Sequence, residues 1–371
     1  MRFRCERDVL AESLGTAQRA VTNRNAALPV LAGVRLELAG DTLRVTGTDL
    51  DLFAQVSVPV VGAADGVAVV PARLAADIVR ALEPGAVSVE GTDDELRISS
   101  GRATFAVRTY VAADFPQVPA PAERSVAVPA AVLGDALRQV VRAASSADGV
   151  PIITGVLLAG EAAGLRLVAT DKYRLAVRDL PGVHVLSEGQ NVLVPARALG
   201  ELQRLLPTGE GAEVTLRLGD HDATFEVGDA RLTTRLIPGS FPDYRQLLIS
   251  DYRNRLIVGK ETLLEALKRV KLLVRDTITS VRIHLQPDTI TLTVATADVG
   301  MATEDLDAKY EGEDLVIAFN PAYLIDGLDA IPGDEVLLQA QDKIKQVTLT
   351  QNLPAGPASD FLYLLMPVRV S

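Results

Sequence analysis

A chain of 371 residues is too long for one ordinary core, and 48% hydrophobic against 23% charged residues excludes a disordered protein. One cysteine, Cys5, excludes an internal disulfide, no apolar run approaches the ~20 residues of a membrane span, and the opening MRFRCERDVL lacks a signal peptide's apolar segment, so a cytoplasmic protein is expected. The net charge of −11 argues against nucleic acid as a partner only if that charge is evenly spread.

The first predicted helix is RDVLAESLGTAQRAV (7–21). An apolar strand ending in threonine follows, RVTGTDLDL (44–52), then a short strand running into a proline-started helix, AVVPARLAADIVRALEPG (68–85). ATFAV (103–107) alternates with the period of a half-buried strand, and FPQVPAPAERS (115–125) reads as a joint. The same order then returns. PAAVLGDALRQVVRAA (129–144) is a helix whose Val132, Leu133, Ala136, Leu137, Val140 and Val141 keep one buried face. After it come RLVATDKYRLAV (166–177), LVPARALGELQRLLPTG (193–209), ATFEV (223–227) and a second joint, FPDYRQLLISDYRNR (241–255). The last third offers GKETLLEALKRVKLLVR (259–275), TLTVATADVGMA (291–302), AFNPAYLIDGLDAIPG (318–333) and QVTLT (346–350). Thr48, Thr170 and Thr296 lie 122 and 126 residues apart, and Pro71, Pro195 and Pro321 lie 124 and 126 apart. Proline suits the first helical turn, where its missing N–H loses no hydrogen bond. Three landmarks in one order at one spacing mark a threefold repeat. The expected fold is α+β, in three similar domains at 1–120, 125–249 and 254–371, each with two helices and antiparallel sheets.

Enzyme fingerprints are missing. Gly259-Lys260 is followed by Glu261 without the upstream glycine of a P-loop, and neither G-x-G-x-x-G nor G-x-S-x-G occurs. His184, His221 and His284 are isolated and lack metal-ligand spacing, so they read as ordinary surface or strand residues. Cys5 reads as packing. Asp49/Asp51 and Asp305/Asp307 read as solvated side chains at strand ends. No catalytic residue, metal or cofactor is expected.

Formal charges over the six predicted helices give +3, which leaves −14 for the rest of the chain. Arg138 and Arg142 stand at i, i+4, and Arg197, Glu201 and Arg204 at i, i+4, i+7, each set on one face away from the apolar stripe. One reading is an ordinary solvated face. The other is a set of phosphate contacts that cannot read sequence. On the second reading Lys268, Arg269 and Arg275 join the set.

TDKYRLAVRD (170–179), GSFPDYRQLL (239–248), FNPAYLIDGL (319–328) and YLLMPVRV (363–370), with the repeat and the helix charge, make the whole chain resemble the bacterial DNA polymerase III β subunit family, the replicative sliding clamps. The resemblance implies a DNA clamp fold: three domains per chain, doubled head to tail into a homodimeric ring with helices inside and sheets outside. Twelve helices about 10 Å wide make a circle of about 120 Å, leaving an opening of ~28 Å, enough for a duplex and a water layer. It also implies a non-catalytic processivity factor that encircles double-stranded DNA without regard to sequence. Its protein partners would be the DNA polymerase III α subunit, the clamp loader and other clamp-motif proteins, in a cytoplasmic, nucleoid-associated setting with no membrane.

Carried over by position, the resemblance makes Arg24, Arg73, Arg197, Asn320 and Tyr323 DNA contacts. It brings Phe105 and Val107 of one subunit near Leu272 and Leu273 of the other, with Arg97 facing Glu304 or Asp298. It assigns a peptide and inhibitor pocket to Ile153, Thr170, Lys172, Tyr173, Arg174, Leu175, Pro242, Leu247, Gln346, Leu364, Met366, Pro367, Val368 and Arg369. That pocket takes a short motif, polar at its start and Leu/Phe at its end, and core packing is the competing reading of Leu175 and Leu364. The chain departs from the family at three places. Gln346 exceeds the small residue expected there, Pro151-Ile152 stand where some relatives carry aromatics that touch DNA, and Arg369-Val370-Ser371 replace a terminal Arg-Leu. Two alternatives stay open. One is a second-copy clamp, such as an actinobacterial paralogue, whose altered pocket tolerates clamp-directed inhibitors and so gives antibiotic resistance. The other is a repeat scaffold that does not encircle DNA.

Overall fold

The structure, a computed structural model, describes residues 1–21, 28–92, 94–147, 149–207, 209, 211–249, 251–276, 279–353 and 359–369. Among the described residues there are six α-helices: α1 (Arg7–Gln18), α2 (Ala72–Ala81), α3 (Ala130–Val140), α4 (Ala196–Leu205), α5 (Lys260–Val270) and α6 (Pro321–Ala330). Each falls inside its predicted span and stops short of the predicted end. After α3 and α5 the chain tightens into 3-10 turns, Val141–Ala143 and Lys271–Leu273, where the apolar period continues without the α-helical geometry. Among the six described α-helices, proline enters the first turn only at Pro321 of α6. Pro71 is the residue before α2, and Pro195 ends the strand Asn191–Pro195.

Contacts gather into two compact units, Met1–Ala131 with Arg197–Leu236, and Val132–Ala196 with Ile237–Ser371. In the first unit a five-stranded sheet and an eight-stranded sheet enclose a core. Leu10, Leu14 and Ala17 of α1 and Ala75, Ala76 and Val79 of α2 meet Val34, Leu36, Val45, Val87, Val89, Leu96 and Ile98, the alternate residues of their strands. At Gly47 an added Cβ would lie 2.0 Å from the Ala17 carbonyl oxygen, so only glycine lets α1 rest there.

The second unit holds a nine-stranded and a four-stranded sheet. The central third of the chain contributes to both units. Its strand Ala230–Arg235 pairs with Leu52–Pro59 in the first, Leu232 opposite Ala54. Its strand Arg174–Pro181 pairs with Phe361–Leu365 in the second, Leu175 opposite Leu364. Three sequence repeats therefore pack as two bodies.

The threonine landmark is a turn. Thr48 Oγ1 accepts from the Leu50 N–H at 3.0 Å, and Asp49 Oδ1 accepts from the N–H groups of Asp51 and Leu52 at 3.1 and 2.9 Å. The second repeat copies it with Thr170, Asp171 and Lys172. Both turns force a side-chain-bearing residue to positive φ, 84° at Leu50 and 81° at Lys172. Lys172→Gly removes that Cβ clash and is expected to stabilise the fold by about 1 kcal/mol, read by urea unfolding. Equal or lower stability would show that the turn carries no strain at this position.

Asp49 corrects the expectation of a solvated carboxylate: Arg197 pairs with it, and its side chain is only 10% exposed. Cys5 is half-buried in the strand Arg2–Glu6, and burial, then the Glu6 charge, pushes its thiol up to about 11. That leaves it protonated and unreactive near neutral pH. His284 pairs with Asp314 at 2.9 Å. Among the described residues no group of three or more His, Cys, Asp or Glu is arranged to hold a metal ion, and no helix is long and apolar enough to cross a membrane.

Candidate functional site

The second threonine turn projects its residues into one locus of the second unit. Thr170 Oγ1 donates to the Arg174 carbonyl at 2.6 Å, closing the turn and raising Tyr173 clear of the sheet at 61% exposure. Arg174, by contrast, is turned inward. Its Nε donates to Asp171 Oδ2 at 2.9 Å, and its Nη1 donates to Asp326 Oδ2 at 2.6 Å and to the Tyr363 hydroxyl at 3.4 Å. Burial opposes the Arg174 charge, but Tyr363, Asp326 and Asp171 outweigh it and push the guanidinium pKa further up. The same burial pushes the Tyr363 hydroxyl up. Arg174 is therefore a fixed cation, and its guanidinium lies 4.3 Å from the Tyr323 ring centroid. Tyr323 also stacks on Tyr173, with centroids 6.4 Å apart and planes at 24°. The ring of Tyr323, carried over as a DNA contact, is thus engaged by Tyr173 and Arg174 within its own chain. Asn320 is likewise engaged, accepting from the N–H groups of Ala322 and Tyr323 as the N-cap of α6.

The floor of the locus is apolar. Leu175 and Leu364, both 1% exposed, share one core cluster with Tyr244 and Leu157, and Ile152, Phe241, Leu248 and Met366 pack against it. Packing and lining coincide for Leu175 and Leu364, while Ile153 is buried outside this cluster. Of the pair Pro151-Ile152, Ile152 thus supports the floor. Past Leu365 the tail crosses over: the Met366 N–H donates to the Tyr173 carbonyl at 2.8 Å, and the Val368 N–H to the Ala318 carbonyl at 2.7 Å. Met366, Pro367 and Val368 are half-buried and Arg369 is exposed, so they form a lip. On the facing side, Pro242 is exposed, and Gln346 Nε2 donates to the carbonyl of exposed Leu247 at 3.1 Å. A fixed cation, two stacked tyrosines and an adaptable methionine around an apolar floor suit a short peptide with both polar and Leu/Phe residues.

The helical cations are not free. Arg73 meets Asp77 at 3.7 Å, Arg204 pairs with Glu201, and Arg197 with Asp49. Arg138 lies 3.8 Å from Asp135 and donates to the Asp329 carbonyl, while Arg142 reaches Asp326 at 3.7 Å and Asp329 at 3.5 Å. Lys268 meets Glu265 at 2.8 Å, and Arg269 Nε reaches Glu304 at 3.1 Å, so Glu304 has a partner in its own chain. Arg275 is exposed. Arg24 lies outside the described residues, as do Val370 and Ser371. Phe105 is 39% exposed and Leu272 78%, whereas Val107 is 4% exposed and held in its own core face. Its pairing opposite buried Leu96 turns the Val107 side chain inward within the subunit.

Comparison with known proteins decides what the locus belongs to. The N-terminal, central and C-terminal domains of the DNA polymerase III beta subunit match residues 1–119, 127–243 and 245–369. A Streptomyces coelicolor beta sliding clamp is 33% identical over 382 residues, covering all of both chains. The chain belongs to the sliding-clamp family. Its fold is the three-domain clamp fold: the Bacillus subtilis clamp superposes with a TM-score of 0.91 at 27% identity, and the Bartonella birtlesii clamp, solved with griselimycin bound, with 0.91 at 30%, each over the full length of both chains. The chain is thus a DNA sliding clamp, a non-catalytic processivity factor of DNA polymerase III.

Sequence reasoning missed three parts of the locus: Asp171, Asp326 and Tyr363, the groups that hold Arg174. Asp171 was within reach, because an aspartate after the repeated threonine recurs as Thr48-Asp49. Asp326 and Tyr363 lie 152 and 189 residues from Arg174 and carry no local signal.

Proposed function

We propose that two copies of this clamp close head to tail into a ring around duplex DNA, and that the Arg174 locus tethers partner proteins to it. One observation carries the ring. Each unit leaves a sheet edge open among the described residues: Ala103–Arg108 with protruding Phe105, and Gly300–Asp307 with Met301 70% exposed. Unpaired edges seek strands, and two different edges on one chain favour a heterologous contact that closes after a second copy. Leu272 and half-buried Leu273 offer the apolar cover for Phe105.

The helical cations, Arg73, Arg138, Arg142, Arg197, Arg204, Lys268, Arg269 and Arg275, are the phosphate contacts in this reading. Where both partners are exposed, as in Arg73–Asp77, Arg138–Asp135 and Lys268–Glu265, an ion pair is worth about 0–1 kcal/mol, so a phosphate displaces the carboxylate at little cost and is itself easily released. A ring that must slide needs such exchange. The tethered partners are the DNA polymerase III α subunit, the clamp loader and other clamp-motif proteins. Tethering raises their effective concentration near the primer end, in the cytoplasm where the nucleoid lies. After loading, the clamp is expected to remain on circular DNA and to leave once the circle is linearised, followed by gel filtration. Equal retention on both forms would refute encirclement and favour the repeat scaffold.

The Gln346–Leu247 strap favours a second reading, an altered pocket that resists clamp-directed inhibitors. Gln346→Ser removes a bond worth about 1 kcal/mol, so griselimycin is expected to bind roughly fivefold tighter to the variant by calorimetry. Unchanged affinity would mean that Gln346 does not alter the pocket.

A further inference from the structure

Beside the lip of the peptide locus lies a cavity of about 600 Å³ bordered by three cations. Arg282 enters it from the strand Val281–Gln286, Lys343 from the turn before Gln346, and Arg369 from the tail. Among the described residues none of the three has a carboxylate partner, in contrast to the paired helical cations. Nearby carboxylates are engaged elsewhere. Asp342 accepts from the N–H groups of Ile344 and Lys345 at 2.8 Å each, and Asp314 pairs with His284. In a chain of net charge −11, three uncompensated cations on one cavity make a local positive field. Between them lie Val316, 45% exposed, and Ile344, 51% exposed. An inorganic anion needs no such apolar floor, whereas the methylenes of a glutamate side chain do.

The tail connects this cavity to the peptide locus. Met366 bonds to Tyr173 on one side, and Val368, two residues on, bonds to Ala318 on the wall of the cavity. Two residues of extended chain span ~7 Å, so a peptide lying in the locus reaches the cavity with two or three further residues.

We propose that this cavity is a second chamber of the docking site, which takes an acidic flank of the peptide whose apolar end sits against Leu175 and Leu364. The inference rests on the peptide-locus reading and adds a charge preference to it. The occupant is an Asp/Glu-containing segment of a partner protein.

The test uses the full chain and labelled peptides sharing one core, polar at its start and Leu-Phe at its end. The core is flanked by Asp-Glu or by Asn-Gln, with the flank placed before or after it, and binding is read by fluorescence anisotropy. The acidic flank is expected to tighten binding about five- to tenfold in one of the two placements at low salt, with the gain shrinking at 0.5 M salt as screening sets in. Arg282→Gln with Lys343→Gln, both exposed positions, is expected to erase the gain and leave the neutral-flanked peptide unaffected. Equal affinities for acidic and neutral flanks overturn the chamber alone, as does a gain that survives the double substitution. Failure of the neutral-flanked peptide to bind overturns the peptide locus and the chamber together. Competition by an oligothymidylate that depends on Arg282 and Lys343, without an acidic-flank gain, assigns the cavity to nucleic acid instead.

Discussion

Arg174→Ala is expected to reduce binding of a partner-tail peptide by at least tenfold and to destabilise the clamp by about 2–4 kcal/mol. The two losses share one cause. Arg174 and Asp171 are each only 10% exposed in their side chains, and removing the guanidinium leaves Asp171 without its counter-ion in a site that water barely reaches. Asp326 is 31% exposed and retains Arg142 at 3.7 Å, which keeps the cost below that of a fully buried pair. Binding suffers separately. Without the cation beneath it, Tyr323 loses the contact that orients its stack with Tyr173, and one wall of the locus becomes free to move. Arg174→Lys tests the geometry. It keeps a charge but cannot reach Asp171, Asp326 and Tyr363 at once, so it is expected to recover part of the stability and little of the affinity. Urea unfolding and anisotropy report the two quantities. Peptide affinity within twofold of the parent in Arg174→Ala would remove Arg174 from the site.

Features of this clamp that rest on local chemistry were legible in its sequence. The threonine landmarks recur because a hydroxyl and the following aspartate close the same turn at Thr48 and Thr170. The helices appear because Leu133, Ala136, Leu137 and Val140 repeat at the spacing of one buried face, and all four are at most 3% exposed. The apolar floor was legible only through the family resemblance, which named Leu175 and Leu364. Charge compensation was not. The i, i+4 rule gives the face on which Arg197 lies, but its carboxylate partner is Asp49, 148 residues away. The same holds for Tyr323: on a helix start it looks like a surface aromatic, and its contacts with Arg174 and Tyr173 come from distant parts of the chain. Gln346 was legible as too large for its place, while its bond to the Leu247 carbonyl, 99 residues back, was not.

If the proposed head-to-tail dimer forms, Phe105→Asp is expected to convert it to a monomer at micromolar concentration and to abolish retention on circular DNA. Phe105 shares a sheet face with Val107, opposite buried Ile98, yet it overhangs that core at the open edge with 39% of its surface exposed. Burying the remaining apolar surface against a second copy contributes about 1–2 kcal/mol, and placing an aspartate there adds the cost of desolvating a charge. A ring of two copies has two such contacts, and each substitution therefore counts twice. Together they weaken the dimer by roughly 4–6 kcal/mol, a factor of about a thousand to twenty thousand in its dissociation constant. The subunit itself is spared, because Phe105 is already partly in water. Val107→Asp is the contrast: at 4% exposure it is expected to unfold the first unit, so its loss of dimer would be uninformative. Sedimentation measures the association, and peptide anisotropy on the same Phe105→Asp sample checks the subunit. The Arg174 locus lies wholly within the second unit, so its peptide affinity is expected to persist in the monomer. A dimer that survives Phe105→Asp would move the ring contact away from the Ala103–Arg108 edge, whereas a monomer that keeps its peptide but slips from circular DNA would tie retention to closure at this strand.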